Sequence, residues 1–483
     1  MTSVAVRPPQ TLCRAGVARG DITPPVGIYH RMWGAARHDR ATGIHRPLTA
    51  TVACLAPLEV DEPAPWLLIA LDHCLLWETE QSQLLAELER RTGIAAAQFL
   101  LAYSHTHSAG LMDLSRRSLP GGELIAPYLD RLAVVLAGLI QEARSGMAPA
   151  VIEHALGRCD MAAERDFPDP VSGQIVCGFH PQALADDTVV VGRLSRLSGE
   201  PLATLVNYAC HPTTLAWENT LISPDFPGAM REVVEQVTGV PCLFLQGASG
   251  DLGPREGFVG DPAVADRNGR QLGYAVLSAL TSLGPVACQL VYRGPVVSGA
   301  TLGVWDWKHC PDSESRLASR VDRVRETVEI AYRPGLPTAA EVREERIRWM
   351  AEESAARSRG DATSERDAHA MVERMDRQLT RLAVLPEGPL YPLSLEVWRW
   401  GDVIWVMLEG EPYQSFQQIL RQRYPGTIIV VITLANGARC SYLPPISAWG
   451  RKIYQESIAL LAPGCLEQVT EAAVRAVGRL LTR

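Results

Sequence analysis

The sequence lacks any apolar run of the ~20 residues that a membrane-spanning helix needs. Its 483 residues carry 46 Lys and Arg against 54 Asp and Glu, a net charge of −8, so no basic excess is present to hold a polyanion. The N-terminal stretch places prolines and arginines where a signal peptide would carry continuous apolar residues. We therefore expect a cytoplasmic protein with no transmembrane segment and no nucleic-acid partner.

The sequence also lacks paired cysteines. Its eleven cysteines are odd in number and widely scattered, and none forms a CxxC motif. This pattern argues against a disulfide framework and against a cysteine zinc site. It is typical of reduced cysteines that pack as small hydrophobic residues.

The composition, with 47% hydrophobic and 21% charged residues, is typical of a globular protein. Up to about residue 300, short apolar runs alternate with amphipathic segments, a pattern typical of α/β or α+β architecture. Of these we predict an α/β fold with a mixed sheet flanked by helices. The predicted strands lie within 49–60, 66–76, 99–105, 188–196, 201–211 and 241–248, and the predicted helices are 127–144 and 226–239.

The segment 313–384 differs because acids, arginines and alanines dominate it. We predict a charged helical insertion or cap there, although a solvated, charge-rich surface is the simpler interpretation of the composition alone. Strand patterns return at 393–411 and 427–437, and a final helix is predicted over 465–483.

Metal-capable side chains follow four of the apolar runs. They are His105 and His107 in an HTH motif, His211 before a proline, Glu411 before a proline, and Tyr442 just beyond an Asn-Gly turn. Each alone has an ordinary structural explanation, since polar residues at strand ends are usually satisfied by hydrogen bonds. Together they indicate one site, because α/β sheets gather their functional groups at strand ends. A mixed nitrogen and oxygen donor set suits a catalytic Zn²⁺.

These residues lie in motifs that resemble the catalytic domain of the neutral/alkaline (non-lysosomal) ceramidase family. The similar segments occur in the family's order across residues 12–300 and 393–465. They are GVARGDITPP (16–25), ATGIH (41–45), SHTHS (104–108), ACHP (209–212), QGASGD (246–251), GEP (410–412) and LANG (434–437).

The resemblance implies a zinc-dependent hydrolase that cleaves an N-acyl amide bond. Carried over residue by residue, the zinc ligands would be His105, His211, Glu411 and Tyr442. The expected mechanism is attack of a zinc-bound water on the amide carbon, which needs no protein nucleophile.

The resemblance further assigns three residues to catalysis and substrate binding. His107 would act as the acid and base, Arg165 would bind substrate, and Tyr454 would contact the reacting carbonyl. The sequence around Arg165 matches the family poorly.

The sequence also departs from the family. Gly253 occupies the position of a serine often described as a nucleophile in ceramidases, and the family's secretion signal and C-terminal β-sandwich domain have no counterpart here. We therefore expect a soluble small-molecule amide as substrate in place of ceramide. Because the candidate ligands span residues 105–442, we predict one large catalytic domain over 1–483 with the 313–384 segment inserted in it. A homo-oligomer is one option for its assembly.

Three alternatives remain open from the sequence. The same metal centre could serve an esterase or a phosphoester hydrolase. Ser249 could act as the nucleophile of a serine hydrolase, although its surroundings do not match G-x-S-x-G. The fold could also be retained as a non-catalytic binding protein, which Gly253 and the missing domain motivate.

Overall fold

The computed structural model describes residues 4–58 and 65–482. Its strands are β1 Ala5–Val6, β2 Gln10–Asp21, β3 Gly43–Ile44, β4 Thr49–Pro57, β5 Trp66–Leu71, β6 Phe99–Tyr103, β7 Ala148–Arg158, β8 Ala162–Glu164, β9 Asp166–Pro168, β10 Ile175–Cys177, β11 Thr188–Arg196, β12 Pro201–Tyr208, β13 Leu221–Ile222, β14 Cys242–Gln246, β15 Leu252–Pro254, β16 Cys288–Ser298, β17 Ala300–His309, β18 Val321–Ala331, β19 Leu390–Trp400, β20 Val403–Leu408, β21 Glu411–Pro412, β22 Ile428–Ile432 and β23 Tyr442–Leu443. Its α-helices are α1 Glu78–Thr92, α2 Ile125–Ser145, α3 Phe226–Thr238, α4 Pro262–Thr281, α5 Asp312–Ala318, α6 Ala339–Arg359, α7 Ala362–Ala383, α8 Ser415–Arg423, α9 Tyr454–Ile458 and α10 Cys465–Thr482.

An eight-stranded sheet carries the first half of the chain, in the order β14-β12-β11-β7-β2-β4-β5-β6. The pairs β12/β14 and β5/β6 are parallel and the other pairs are antiparallel. The central strands are buried because both faces are covered, which explains their continuous apolar runs. Helices α1 and α2 cover one half of the outer face, and α3 and α4 cover the other.

A four-stranded sheet, in the order β18-β19-β20-β22, packs against the inner face of the large sheet. Aromatic residues fill the space between them; the rings of Trp66 and Trp398 have centroids 4.7 Å apart. Helices α8 and α10 cover the other face of the small sheet. The result is two stacked mixed sheets between helical layers, which confirms the predicted α/β class and shows a second sheet that the sequence pattern did not separate from the first.

The large sheet twists so far that its edge strands β6 and β14 approach each other. Asn436, from the loop after β22, strengthens this junction because its amide bonds the backbone of β6 at Leu101 N (2.8 Å) and Phe99 O (3.2 Å). Its φ of 54° is left-handed, a conformation that asparagine tolerates. The loops after β6, β12, β14 and β20 therefore meet at one place.

The secondary structure follows the sequence pattern closely. Every predicted strand run contains a strand, and the helices predicted at 127–144, 226–239 and 465–483 form as α2, α3 and α10. Residues 59 and 60 of the first run and residue 483 of the last helix lie outside the described residues.

The 313–384 segment holds the strand Val321–Ala331 as well as helices α5, α6 and α7, so the prediction of a purely helical segment needs correction. Strand β18 alternates exposed and half-buried residues at the edge of the small sheet. Its charged residues explain why the composition resembled a surface helix. Helices α6 and α7 form an antiparallel hairpin.

Within residues 4–58 and 65–482 there is no helix of the length and apolarity needed to span a membrane.

Candidate metal centre and active-site cavity

The candidate ligands come from both sheets. His105 follows β6 by two residues and His211 follows β12 by three, so both leave the carboxyl ends of strands in the large sheet. Glu411 and Tyr442 face each other as partners in the short parallel pair β21/β23, beyond the small sheet. The face-to-face packing of the sheets therefore brings four distant residues together.

Unusual backbone conformations aim these side chains inward. His105 has a φ of 66°, a left-handed conformation that is costly for a non-glycine residue and typical of functional sites. Gly410 has a φ of 80°, and a Cβ there would collide with the sulfur of Cys440. Only glycine therefore allows the turn that presents Glu411.

The side-chain donors converge on one carboxylate oxygen. Oε2 of Glu411 lies 2.9 Å from Nε2 of His211 and 3.3 Å from Nε2 of His105. One donor atom of each of these three residues lies within 4.8 Å of the others. The hydroxyl of Tyr442 is 3.4 Å from Nε2 of His211 and completes the cluster.

Backbone carbonyls fix the orientation of both histidines. Nδ1 of His105 is 2.8 Å from the carbonyl oxygen of Cys74, and Nδ1 of His211 is 2.6 Å from that of Ser249. Each Nδ1 is placed to donate its proton to a carbonyl oxygen, and both Nε2 atoms point at Glu411. This is the usual support for a metal-bound histidine.

The cluster fits a divalent metal ion by its own chemistry. Nε2 of His105 is buried and makes no hydrogen bond despite its 3.3 Å approach to Glu411, and such a buried polar nitrogen is costly unless something binds it. Two imidazoles, a carboxylate and a phenol offer the nitrogen and oxygen donors of a catalytic zinc site. A second grouping of Cys74, His105 and His107 is also compact, but Nδ1 of His105 is already engaged on the Cys74 carbonyl.

The electrostatics of the cluster follow from burial and close charges. Burial raises the pKa of Glu411, but the neighbouring His105 and His211 outweigh that effect and hold it well below its usual range. Burial, and then the positive charge of Arg165, lower the pKa of His211 to about 4. The carboxylate is therefore ionised and the His211 imidazole neutral at pH 7, as a metal site requires. Burial lowers the pKa of His105, but Cys74 and Glu411 outweigh it and raise that pKa well above its usual value, so a bound metal would displace a proton from His105.

The three residues assigned to catalysis and substrate binding surround this cluster. The ring of His107 is 4.9 Å from that of His105, and its Nε2 is buried without a hydrogen-bond partner. Arg165 is buried and donates to the carbonyl oxygen of Gly250 (2.7 Å) and to the hydroxyl of Tyr442 (3.1 Å). The ring of Tyr454 is 6.0 Å from that of Tyr442 and is 44% exposed.

These residues open onto a cavity of about 610 Å³, a size common for small-molecule sites. Its lining includes His107, Arg165, Tyr442 and Tyr454 on the side of the metal cluster. An apolar part is formed by Met32, Trp33, Ile175, Val176, Phe258, Ile453 and Ile458. A further part of the wall comes from helix α7.

The sequence did not single out two parts of this lining. The first is an aromatic pair, Trp33 and Phe258, whose rings meet edge to face at 5.6 Å, with Trp33 also 5.3 Å from the ring of His107. No sequence motif marks it. The second is the face of α7, where Arg374, Arg377 and Arg381 recur at helical spacing, a signal that the uniform charge of the segment obscured.

Two further positions bear on the open alternatives. A Cβ on Gly253 would lie 3.6 Å from Oγ1 of Thr213, so the position has room for a side chain but holds none.

Ser249 was the candidate nucleophile of a serine hydrolase. Its Oγ accepts a hydrogen bond from Nε2 of Gln246 (2.6 Å), and in the described part of the chain no histidine bonds it. Ser249 therefore lacks the general base that a serine nucleophile requires.

No protein-family model matches the sequence, and no curated protein matches it either. Two solved structures are similar in fold. A ceramidase complexed with C2 superposes with a TM-score of 0.66 at 15% identity, covering 99% of this chain and 76% of that one. The neutral ceramidase from Pseudomonas aeruginosa superposes with a TM-score of 0.64 at 14% identity, covering 98% of this chain and 74% of that one. The chain therefore has a fold like that of the neutral ceramidase catalytic domain, as the sequence motifs predicted.

Proposed function

We propose that this protein is a metal-dependent amide hydrolase whose metal, most consistent with Zn²⁺, is held by His105, His211, Glu411 and Tyr442. The observation that carries the proposal is the convergence of two Nε2 atoms on one Glu411 oxygen, with both Nδ1 atoms held by backbone carbonyls. The fold likeness to ceramidases, which act on an amide bond, supports the reaction class.

When bound, the metal supplies a Lewis acid for a carbonyl oxygen and lowers the pKa of water. The protein supplies the rest. His107 stands beside the ligands with a free Nε2, so it is placed to move a proton between the attacking water and the leaving nitrogen. Tyr454 lines the cavity beside Tyr442, which suits its hydroxyl to hydrogen-bond the developing oxyanion.

Arg165 has a positioning role in this proposal as well as a substrate-facing one. Its guanidinium orients Tyr442 and the Gly250 carbonyl, and its Nε is buried without a partner. The planar group can therefore still offer one N–H to a substrate oxygen.

A second candidate, cleavage of a phosphoester by the same centre, draws support from the cationic residues of α7 along the cavity. The arginines bind a carboxylate as well as a phosphate, however, so this feature alone does not favour phosphoesters over anionic amides.

The experiment is a substrate panel assayed on chelator-treated protein before and after zinc is restored. It includes N-acyl amides, N-acyl amino acids, carboxylic esters, a phosphomonoester and a short-chain ceramide. We expect zinc-dependent cleavage of a soluble N-acyl amide. Cleavage of the phosphomonoester alone would contradict the amide assignment, and preference for the ceramide would contradict a soluble substrate.

A further inference from the structure

Helix α7 presents one cationic face to the cavity. Ala370, Glu373, Arg374, Arg377 and Arg381 line it, and their spacing of three and four residues places them on one side of the helix. One wall of the cavity is therefore a row of arginines, which a neutral amide substrate does not need.

Protein carboxylates do not neutralise this row. Glu373, the acid on this helix face, is buried and engaged by Arg116 at 2.8 Å, with Arg377 at 3.9 Å. Among the described residues no carboxylate lies within 4.0 Å of Arg374, Arg381 or Lys452, the last of which also lines the cavity. The cavity thus keeps an excess of positive charge after its internal ion pair is counted.

Arg381 shows this excess most clearly. Its guanidinium lies 5.8 Å from the ring centroid of Trp77 and makes no ion pair in the described chain. Burial lowers its pKa and Arg377 adds to that shift, while Tyr454 and the carboxylate of Glu411, which is not within ion-pair distance, oppose it. A half-buried cation without a directly paired carboxylate is costly, and an anionic ligand would reduce that cost.

The rest of the cavity is apolar and aromatic, through residues such as Trp33, Phe258 and Ile453. A ligand that satisfies both parts carries an apolar acyl group and an anion. Guanidinium groups bind carboxylates through paired hydrogen bonds, which provide direction as well as charge.

We propose that the substrates are N-acyl amides that carry a carboxylate, the chemical class of N-acyl amino acids, with the carboxylate bound by Arg374 and Arg381 of α7. This proposal rests on the amide hydrolase function proposed above. The reaction consumes water, breaks the C–N bond and releases a carboxylic acid and an amino acid, so atoms balance without any further reactant.

The test compares a matched pair of substrates, an N-acyl amino acid and the same compound with its carboxylate converted to a carboxamide. For each protein the readout is the ratio of the two kcat/KM values. We expect the wild type to favour the carboxylate by about tenfold or more, the effect of a charge-assisted hydrogen bond, mainly through KM. Arg381→Gln and Arg374→Gln should each reduce that ratio severalfold.

The matched control is Arg348→Gln, which removes one charge from an exposed position on α6, outside the cavity. It should keep the wild-type ratio. A wild-type ratio near one, or an equal loss of ratio in Arg348→Gln, would overturn the proposal.

Binding measurements distinguish a failure of the carboxylate-binding proposal from a failure of the proposed hydrolase function. Calorimetric titration of the zinc-loaded protein with the two compounds measures the charge preference even if neither is cleaved. Tighter binding of the carboxylate without cleavage would support the anion site and contradict the hydrolase, whereas cleavage of both compounds without preference would support the hydrolase and contradict the anion site.

Discussion

Nε2 of His211 lies 2.9 Å from Oε2 of Glu411, although the two residues are 200 positions apart in the sequence. His211 follows a strand of the eight-stranded sheet and Glu411 follows one of the four-stranded sheet. The contact therefore exists only when the two sheets are packed face to face. Neither sheet alone can form the centre.

Replacing His107 by alanine separates proton transfer from metal binding. Its Nε2 makes no contact with Glu411 close enough to be an ion pair in the described chain, while those of His105 and His211 do. We expect His107→Ala to keep its metal and to lose at least about a hundredfold in kcat, the usual contribution of a general acid or base. Metal content and turnover are measured on the same preparation. Loss of the metal would show that His107 is a ligand.

Removing Glu373 should loosen the cationic helix from the protein. Its buried carboxylate holds Arg116 at 2.8 Å, and breaking such a pair costs about 3–5 kcal/mol because the remaining charge is unpaired. Hydrogen exchange in α7 should accelerate in Glu373→Ala. Glu365→Ala, which removes another acid of α7 that pairs with exposed Arg357 of α6, should change little. Equal exchange in both variants would contradict this anchoring role.

Introducing a serine at residue 253 tests whether a hydroxyl at this position takes part in catalysis. A Cβ at residue 253 meets only ordinary contacts, at 3.6 Å from Thr213 and 3.9 Å from Arg165. Gly253→Ala and Gly253→Ser should therefore each change the free energy of unfolding by less than about 1 kcal/mol. Because the proposed reaction uses no protein nucleophile, their kcat values should agree. A serine variant faster than the alanine variant by more than about tenfold would contradict the mechanism.

The pH dependence of stability should depend on His154. It is buried between the sheets beside Trp405, makes no side-chain hydrogen bond, and burial lowers its pKa from 6.5 to about 4. Between these values the unfolded chain binds one more proton at this site, so stability falls as pH falls through that range, by about 1.4 kcal/mol per pH unit.

His154→Phe removes the imidazole that binds this extra proton in the unfolded chain. From pH 6.5 to pH 5 the wild type should lose about 2 kcal/mol more than the variant, as measured by chemical denaturation at both pH values. Buried carboxylates with raised pKa values, such as Asp225, act in the opposite direction but equally in both proteins. Parallel stability curves for the two proteins would show that His154 does not titrate as proposed.

Much of the fold follows from local pattern. Apolar runs became strands, and the amphipathic stretches 127–144 and 226–239 became helices. The secondary structure of the segment 313–384 was harder to predict, because β18 alternates charged with apolar residues at a sheet edge. Charge composition alone does not distinguish such a strand from a surface helix.

The candidate site, like the fold, has residues that the sequence predicts and residues whose positions depend on packing. His105 and His211 could be predicted because strand ends and motif order point to them, but their distances to Glu411 depend on how two sheets stack. Arg381 could not be predicted as a cavity residue, since its position depends on where the α6 and α7 hairpin docks. Tertiary packing of this kind leaves no local sequence signal.

The central claim is that His105, His211 and Glu411 form a metal site, and metal content tests it most directly. Glu411→Gln removes the shared carboxylate. Glu409→Gln is the matched control, because Glu409 is also buried but accepts its hydrogen bond from the hydroxyl of Tyr391, at 2.7 Å. Mass spectrometric metal analysis after zinc loading and dialysis should find about one zinc per chain in the wild type and in Glu409→Gln, and far less in Glu411→Gln. Absence of zinc from the folded wild type, or full retention by Glu411→Gln, would contradict the account.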